Sequence, residues 1–169
     1  MKNIEYFFDC SSPWTYLSFR GILELRDKKE FEIIWKPILV GGIFNSINPS
    51  VYETRKNPVE EKLKYSQKDL KDWANLRNLE INWPKIFPIN SVKAMRGAFH
   101  FVEKNTLEDY LESVFSGYWT HGKDISNIDT LLKIVEKLGE DQEQYVEVVN
   151  SEEAKQKLIE NTQELMERG

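Results

Sequence analysis

The alternation of apolar and polar positions predicts a short α/β unit at the start of the chain. Residues Ile4 to Phe8 form a nearly all-apolar run, which predicts a strand buried on both faces. A second run from Phe31 to Trp35 predicts another strand, which Pro37 closes because proline cannot continue a central ladder. Between them, apolar side chains recur at helical spacing from Pro13 to about Asp27. Strand, helix and strand within about 36 residues predict a right-handed βαβ unit with parallel strands.

From Gly41 onward the pattern changes. Two glycines at 41 and 42 and the polar stretch Asn45 to Pro49 predict a loop, and Trp83 to Pro88 predicts a second, aromatic and proline-rich loop. The remaining apolar positions have a helical period and predict helices at about 58–78, 91–104, 107–119, 127–138, 141–149 and 151–168. Gly139 is a typical stop for the fourth of these. The pattern as a whole predicts a βαβ half-fold followed by an α-helical insertion.

Composition and charge exclude several classes of partner. The 169 residues include 23 Lys and Arg against 28 Asp and Glu, a net charge of -5, without the clustered basic residues that phosphate binding needs. No apolar run approaches the roughly 18 residues of a membrane span. The chain enters its first strand pattern at once, so no signal peptide is expected. We therefore expect a cytoplasmic protein that binds neither nucleic acid nor membranes.

Cysteine and histidine usage narrows the chemistry further. Cys10 is the only cysteine, which excludes a disulfide framework and a cysteine-rich metal cluster. The two histidines, His100 and His121, lie far apart and lack the spacing of metal ligands. No metal site is expected, and neither histidine is expected to act as a catalytic base.

The junction between the first strand and the first helix is the sharpest local feature. Ser12 is a favoured N-cap, and Pro13 suits the first helical position. A helix N-terminus at the carboxyl end of a parallel strand stabilises an anion such as phosphate, carboxylate or thiolate. Two interpretations stay open: Ser12 only caps the helix, or its hydroxyl also donates to a bound anion. Because Cys10 is expected to be a packed thiol, a reactive sulfur at this junction would have to come from a ligand.

The segment FFDCSSPWTYLSF resembles the opening of the 2-hydroxychromene-2-carboxylate isomerases and kappa-class glutathione transferases, which belong to the DsbA-like thioredoxin superfamily. Further segments resemble the same family in the expected order: KPILVGGIF at 36–44, KYSQKDLKDWA at 64–74, FPINS at 87–91, AMR at 94–96 and GKDIS at 122–126. The resemblance covers essentially all of the chain. It implies a thioredoxin-like α/β fold with the N-terminal βαβ half over 1–45, an all-α insertion over 46–149 and a crossover helix over 150–169.

The resemblance also implies a glutathione site. The family's serine, which hydrogen-bonds the glutathione sulfur and favours its thiolate, falls on Ser12, and Pro13 and Trp14 lie in the same motif. The family's loop asparagine falls on Asn48, with Asn45 as a competing position. Residues 12–15 stand where disulfide oxidoreductases carry Cys-x-x-Cys, so dithiol–disulfide exchange is excluded at this motif.

The resemblance is less specific about the residues that would contact the acceptor substrate. Tyr65 and Trp73 match the first inserted helix, with Asp69 between them, and would line the acceptor pocket. Their alternative role is packing within the helical subdomain. A carboxylate substrate would also need a positively charged side chain to bind it. The sequence does not distinguish among four candidates: Arg20, Lys64, Lys68 and Arg96.

By resemblance, the activity would be a glutathione-dependent isomerisation of 2-hydroxychromene-2-carboxylate-type intermediates of aromatic degradation. Glutathione would add to the unsaturated carbon and be returned after rotation of the opened adduct. The alternatives are a kappa-class-like glutathione transferase or peroxidase, or a catalytically inert thioredoxin-like binding module. The resemblance further implies a homodimer.

The family pattern continues beyond the last inserted helix with a Gly-x-Phe-Gly-x-Pro-Thr segment, two strands and a final helix. This chain ends at Gly169, where that segment would begin. We therefore expect the C-terminal strands of the sheet to be missing from the chain. Three accounts compete: a shortened form of a normal enzyme, a natural short variant that acts as a binding module, and a sheet completed by a second polypeptide.

Overall fold

A computed structural model describes residues 2–169, in which two parallel strands and nine α-helices follow one another. They are β1 (Lys2–Phe8), α1 (Pro13–Lys28), β2 (Phe31–Pro37), α2 (Val40–Ile47), α3 (Ser50–Lys56), α4 (Glu60–Leu76), α5 (Val92–Lys104), α6 (Leu107–Phe115), α7 (Ile128–Lys137), α8 (Gln142–Asn150) and α9 (Glu152–Arg168). A π-helical turn, Ser116–Thr120, extends α6. The predicted parallel βαβ unit and the six predicted later helices are confirmed, with ends that differ by a few residues.

One face of the two-stranded sheet packs against α1. The strands run in parallel register with Ile4 opposite Ile33. The Trp35 ring meets the Tyr6 and Phe8 rings edge-on, at centroid distances of 5.5 and 5.9 Å. Phe19 of α1 reaches the same indole at 6.0 Å. Aromatic packing therefore holds the helix to this face of the sheet.

The prediction that β1 is buried on both faces is wrong. Glu5 is exposed, and the second face carries charge instead of an apolar layer. Lys36 Nζ lies 2.8 Å from Glu5 Oε1 and 2.6 Å from Glu164 Oε2. Arg168, in the last turn of α9, pairs with the same two glutamates. The end of α9 is therefore fastened to β1 by ion pairs at the protein surface.

The predicted loop from Gly41 to Pro49 is also wrong for most of its length, because α2 occupies it up to Ile47 and only Asn48 and Pro49 separate α2 from α3. Two distant side chains satisfy backbone groups at the start of α2. The Leu39 N–H donates to Thr162 Oγ1 at 3.0 Å, and the Val40 N–H donates to Asp9 Oδ2 at 2.9 Å. Neither partner is visible in the local pattern, so the glycine pair suggested a loop where tertiary contacts support a helix.

The helices share one apolar core with the βαβ unit. Phe115 of α6 stacks on Tyr16 at 5.0 Å and on Phe19 at 5.5 Å, which joins α6 to α1. On the far side of this core, the buried Tyr145 of α8 lies against α5. A Cβ at Gly97 would come within 2.2 Å of the Tyr145 Oη, so this close approach requires glycine.

The exposed surface is large for the length of the chain. It measures 10272 Å², compared with about 8,700 Å² for a compact protein of this mass. The α4 helix contributes to this excess, because only Leu70 and Ala74 among its residues are buried. Compared with about 29,000 Å² for the unfolded chain, this folded surface corresponds to a burial of roughly 65%.

Acid titration tests the charged link between β1 and α9. Hydrogen bonds from Arg168 and then Lys36 lower the pKa of Glu5 to about 2. Because the pKa is lowered in the folded state, the stability that ionised Glu5 contributes is complete above its ordinary pKa of 4.5 and is lost as the pH falls toward about 2. We expect Glu5→Gln to flatten the fall in stability over this range, as measured by urea unfolding followed by circular dichroism.

The matched control is Glu32→Gln, which changes an exposed glutamate on the neighbouring strand that enters no ion pair among residues 2–169. This variant is expected to keep the acid dependence of the parent protein. An identical acid dependence in Glu5→Gln and the parent would show that the link contributes nothing.

Candidate functional site

Ser12 caps the N-terminus of α1. Its Oγ accepts a hydrogen bond from the Thr15 N–H at 3.3 Å, and its backbone has the extended conformation typical of a cap. Pro13 is buried and occupies the first helical position, while Ser12 is half-buried. The first turn contains no acidic side chain. The predicted capping arrangement is therefore confirmed.

Capping leaves the Ser12 hydroxyl proton available. A hydroxyl accepts through its lone pairs and donates through its proton, so the bond from Thr15 does not prevent Ser12 from donating to an anion. The Trp14 amide lies in the first turn, where N–H groups have no intrahelical acceptor. The positive end of the helix dipole points the same way. The two interpretations of Ser12 are thus compatible with each other.

Cys10 is a packed thiol and not a nucleophile. Its side chain is 0% exposed, and burial raises its pKa well above the ordinary value, so the sulfur stays protonated. Its backbone is held by two side chains: the N–H donates to Met95 Sδ at 3.3 Å, and the carbonyl accepts from Trp119 Nε1 at 2.9 Å. Sulfur chemistry at this junction therefore depends on a sulfur that a ligand brings.

Asp9 is a buried carboxylate at the end of β1, and sequence reasoning assigned it no role. It is 1% exposed. Its Oδ1 accepts from the Ser11 N–H and its Oδ2 from the Val40 N–H, both at 2.9 Å. Burial raises its pKa in spite of these donors. Asp9 therefore ties the turn before Ser12 to the start of α2.

An aromatic cluster lies beside the Ser12 end of α1. Trp83 lies 4.7 Å from Phe87 between ring centroids, and Trp119 lies 5.9 and 6.1 Å from these two rings. Trp83 is 59% exposed and Trp119 is fully buried, so the cluster runs from the surface to the Cys10 carbonyl. We call Trp83, Phe87 and Trp119 the aromatic wall. The density of aromatic residues and prolines over 83–88 was its only signal in the sequence.

Arg55 is a cation that sequence reasoning missed. Its guanidinium carbon lies 5.2 Å from the Phe87 ring centroid and 5.5 Å from that of Phe44. Within residues 2–169 it forms no ion pair, whereas three predicted cations do: Arg20 with Glu112 at 3.1 Å, Lys64 with Glu60 at 2.5 Å and Lys68 with Asp72. The fourth, Arg96, donates to the Val149 carbonyl at 3.3 Å. Arg55 is therefore a cation that lies over the Phe87 ring of the aromatic wall, and none of the four predicted cations shares this position.

The structure does not join the other predicted site residues to Ser12. Asn48 ends α2 in solvent, and its Oδ1 accepts from the Ser50 hydroxyl at 2.7 Å. Tyr65 and Trp73 on α4 are 69% and 45% exposed, so neither is packed in the core. No hydrogen bond or ring stack within the described chain links these three side chains to Ser12. Their assignment to the site stays a prediction, and so does the competing choice of Asn45.

No hydrogen bond among residues 2–169 joins either histidine to Ser12. His100 is buried on α5 with its Nε2 3.4 Å from Glu140 Oε2, and His121 is exposed in a turn. In residues 2–169 no group of three or more His, Cys, Asp or Glu side chains could hold a metal ion. Over the same residues, no helix is long and apolar enough to cross a bilayer.

Three comparisons with known proteins give consistent matches. Residues 3–169 match the DSBA-like thioredoxin domain. The chain is 26% identical to 2-hydroxychromene-2-carboxylate isomerase of Pseudomonas sp. (strain C18), over 98% of this chain and 76% of that protein. It is 27% identical to glutathione S-transferase kappa 2 of Caenorhabditis elegans, over 99% and 77%. A solved structure of selenomethionine 2-hydroxychromene-2-carboxylate isomerase matches with a TM-score of 0.78 at 23% identity, over 98% of this chain and 80% of that one.

The Asp9 carboxylate offers a direct test of the junction. In Asp9→Asn the amide oxygen can accept only one of the two N–H groups, and the NH2 group faces the other donor. We expect a loss of about 1–3 kcal/mol of unfolding free energy, measured by urea denaturation at neutral pH. The control is Asp141→Asn, because one oxygen of Asp141 caps α8 and accepts both N–H groups there. Equal stability of the two variants would contradict this role of Asp9.

Proposed function

The chain belongs to the DsbA-like thioredoxin family, and from this membership we propose that it binds glutathione at the Ser12 end of α1. We further propose that it catalyses a glutathione-dependent isomerisation of 2-hydroxychromene-2-carboxylate-type substrates. The observation that carries the proposal is the pairing of a donor hydroxyl at a helix N-terminus with the lack of an accessible protein thiol. The isomerase and the transferase among the relatives support a glutathione-related enzyme.

The residues at this end of α1 fit glutathione. Ser12 keeps a free hydroxyl proton, and the first turn carries no acidic side chain that would repel an anion. When bound, glutathione supplies the nucleophilic thiolate. The Ser12 hydroxyl donates a hydrogen bond to the sulfur and keeps its proton, and the Trp14 amide and the helix dipole add positive potential. In the proposed site Pro13 shapes the same turn, and Asn48 contributes its amide group from the end of α2.

The acceptor side of the proposed site consists of the aromatic wall and Arg55. An aromatic carboxylate needs a flat apolar surface for its ring and a cation for its charged group. Trp83 and Phe87 provide the surface. Arg55 stacks over Phe87, which leaves the edge of its guanidinium free to bind a carboxylate through two parallel hydrogen bonds. Tyr65 and Trp73 are proposed to border the pocket on the α4 side.

A glutathione transferase is the second candidate function. It is favoured by the kappa-class relative, whose identity to this chain is similar to that of the isomerase relative. The two activities are distinguished by their stoichiometry, because an isomerase returns glutathione and a transferase consumes it. Cytoplasmic location and homodimeric assembly also belong to the proposal. Failure of the protein to bind glutathione would favour the third possibility, an inert binding module.

Replacement of Ser12 tests the proposed role of its hydroxyl. Ser12→Ala removes the donor to the glutathione sulfur, so we expect the thiol pKa of bound glutathione to rise and turnover to fall on the order of 100- to 1,000-fold. The thiolate is measured by its ultraviolet absorbance during a pH titration of the complex.

Ser12→Ala also removes a helix cap, which costs about 1 kcal/mol on its own. The matched control is Ser151→Ala, because Ser151 Oγ caps α9 by accepting from the Ala154 N–H at 3.1 Å. This control should lose similar stability and keep both the thiolate signal and turnover. If the two variants behaved alike in both assays, Ser12 would have no chemical role.

Replacement of Arg55 tests the carboxylate site. Arg55→Met keeps a long apolar side chain and removes the charge, so we expect the KM for an aromatic carboxylate to rise about 10- to 100-fold. The KM for a neutral aromatic electrophile should change little. The control is Lys56→Met, which removes the neighbouring cation, whose partner is Glu53 at 3.4 Å. A similar rise for the neutral substrate would assign Arg55 to packing.

A further inference from the structure

The π-helical turn after α6 directs two buried aromatic side chains toward the site. Its defining hydrogen bond runs from the His121 N–H to the Ser116 carbonyl at 3.0 Å, five residues apart. Such turns contain one residue more than an α-helical turn and occur frequently at functional sites. Tyr118 and Trp119 are 1% and 0% exposed. Because of the extra residue, these side chains leave α6 in a direction that a continuous α-helix would not provide.

Trp119 connects three parts of the site. Its Nε1–H donates to the Cys10 carbonyl at 2.9 Å, in the turn that leads to Ser12. Its own carbonyl accepts from the Asn82 N–H at 2.7 Å, directly before the 83–88 loop. Its ring forms the buried end of the aromatic wall, against Trp83 and Phe87. One residue therefore contacts the turn before α1 and the surface proposed to receive the acceptor.

Met95 contacts the same turn from α5. Its Sδ accepts from the Cys10 N–H at 3.3 Å, and its side chain is 0% exposed. Both polar groups of the Cys10 backbone are thus paired with side chains, 85 and 109 residues further along the chain. Thioether sulfur is a weak acceptor and indole N–H is a full donor, so Trp119 is the stronger of the two contacts.

We infer that Trp119 is a positioning residue: it fixes the turn that presents Ser12 and holds that turn in one rigid unit with the aromatic wall. The inference rests on the proposed glutathione site and adds the residue that sets the distance between the nucleophile and its acceptor. Without the indole N–H, the buried Cys10 carbonyl has no partner, and the turn must shift to reach one. A displacement of about 1 Å at a reacting centre lowers turnover on the order of 100-fold.

The test compares two variants of the same π-helical turn. Trp119→Phe removes the N–H that reaches Cys10 and keeps an aromatic ring. Tyr118→Phe is the matched control, because it removes an equally buried donor, whose Oη–H reaches the Ile86 carbonyl at 2.8 Å. The first measurement is hydrogen–deuterium exchange of the amides at 11–16 in the protein without ligand. We expect these amides to exchange about tenfold faster in Trp119→Phe and at the parent rate in Tyr118→Phe.

The second measurement is the pH titration of bound glutathione together with steady-state kinetics. Trp119→Phe should raise the thiol pKa and lower kcat more than it raises the KM for glutathione. A purely structural contribution would lower the melting temperature of both variants and leave the thiol pKa unchanged. Equal exchange rates at 11–16 in the two variants would overturn the inference.

The experiments distinguish failure of the proposed function from failure of the inference about Trp119. If the parent protein does not bind glutathione, the proposed function fails, and the exchange measurement still decides whether Trp119 positions the turn. If Trp119→Phe does not fold, Trp119→Tyr replaces it, because tyrosine keeps a large aromatic ring and lacks the indole N–H that reaches Cys10. Exchange at 11–16 no faster in Trp119→Tyr than in the parent would then contradict the inference.

Discussion

The structure depends on how the backbone between β1 and α1 is satisfied inside the core. These residues leave the sheet while still buried, so neither a strand partner nor helical bonds pair all their polar groups. Side chains from elsewhere do so: Asp9 accepts from Ser11 and Val40, and Met95 and Trp119 hold the two polar groups of Cys10. The start of α2, the N-terminal part of α5 and the π-helical turn are all brought to this point by that requirement.

The chemistry of the proposed site follows from the same junction. A serine that accepts from the helix still has a proton to donate, and the only cysteine is buried with a raised pKa. The protein therefore offers hydrogen bonds and positive potential at this junction but no accessible thiol of its own, which suits a thiol ligand. The aromatic wall contacts the turn before this helix through the Trp119–Cys10 hydrogen bond, and Arg55 lies over the Phe87 ring. The surface suited to an aromatic anion is therefore built from α3, the 83–88 loop and the π-helical turn.

Two wrong predictions show where local pattern stops being informative. The glycine pair at 41 and 42 is typical of a loop, yet Asp9 and Thr162 satisfy the backbone at the start of α2 and support a helix. The apolar run of β1 is typical of a strand covered on both sides, yet Glu5, Lys36 and the end of α9 form ion pairs on one face. In both cases the side chains that decide the local structure lie more than thirty residues away along the chain.

Periodicity and capping residues were enough to predict β1, α1, β2 and six later helices, because both signals act within a few residues of each other. The same local chemistry placed Ser12 at a helix N-terminus, and the motif around it indicated the family. Only the tertiary structure decided that Trp119 reaches Cys10 and that Arg55 stacks on Phe87. Such contacts join residues that are distant in sequence, and they form only when the packing of the whole core brings their elements together.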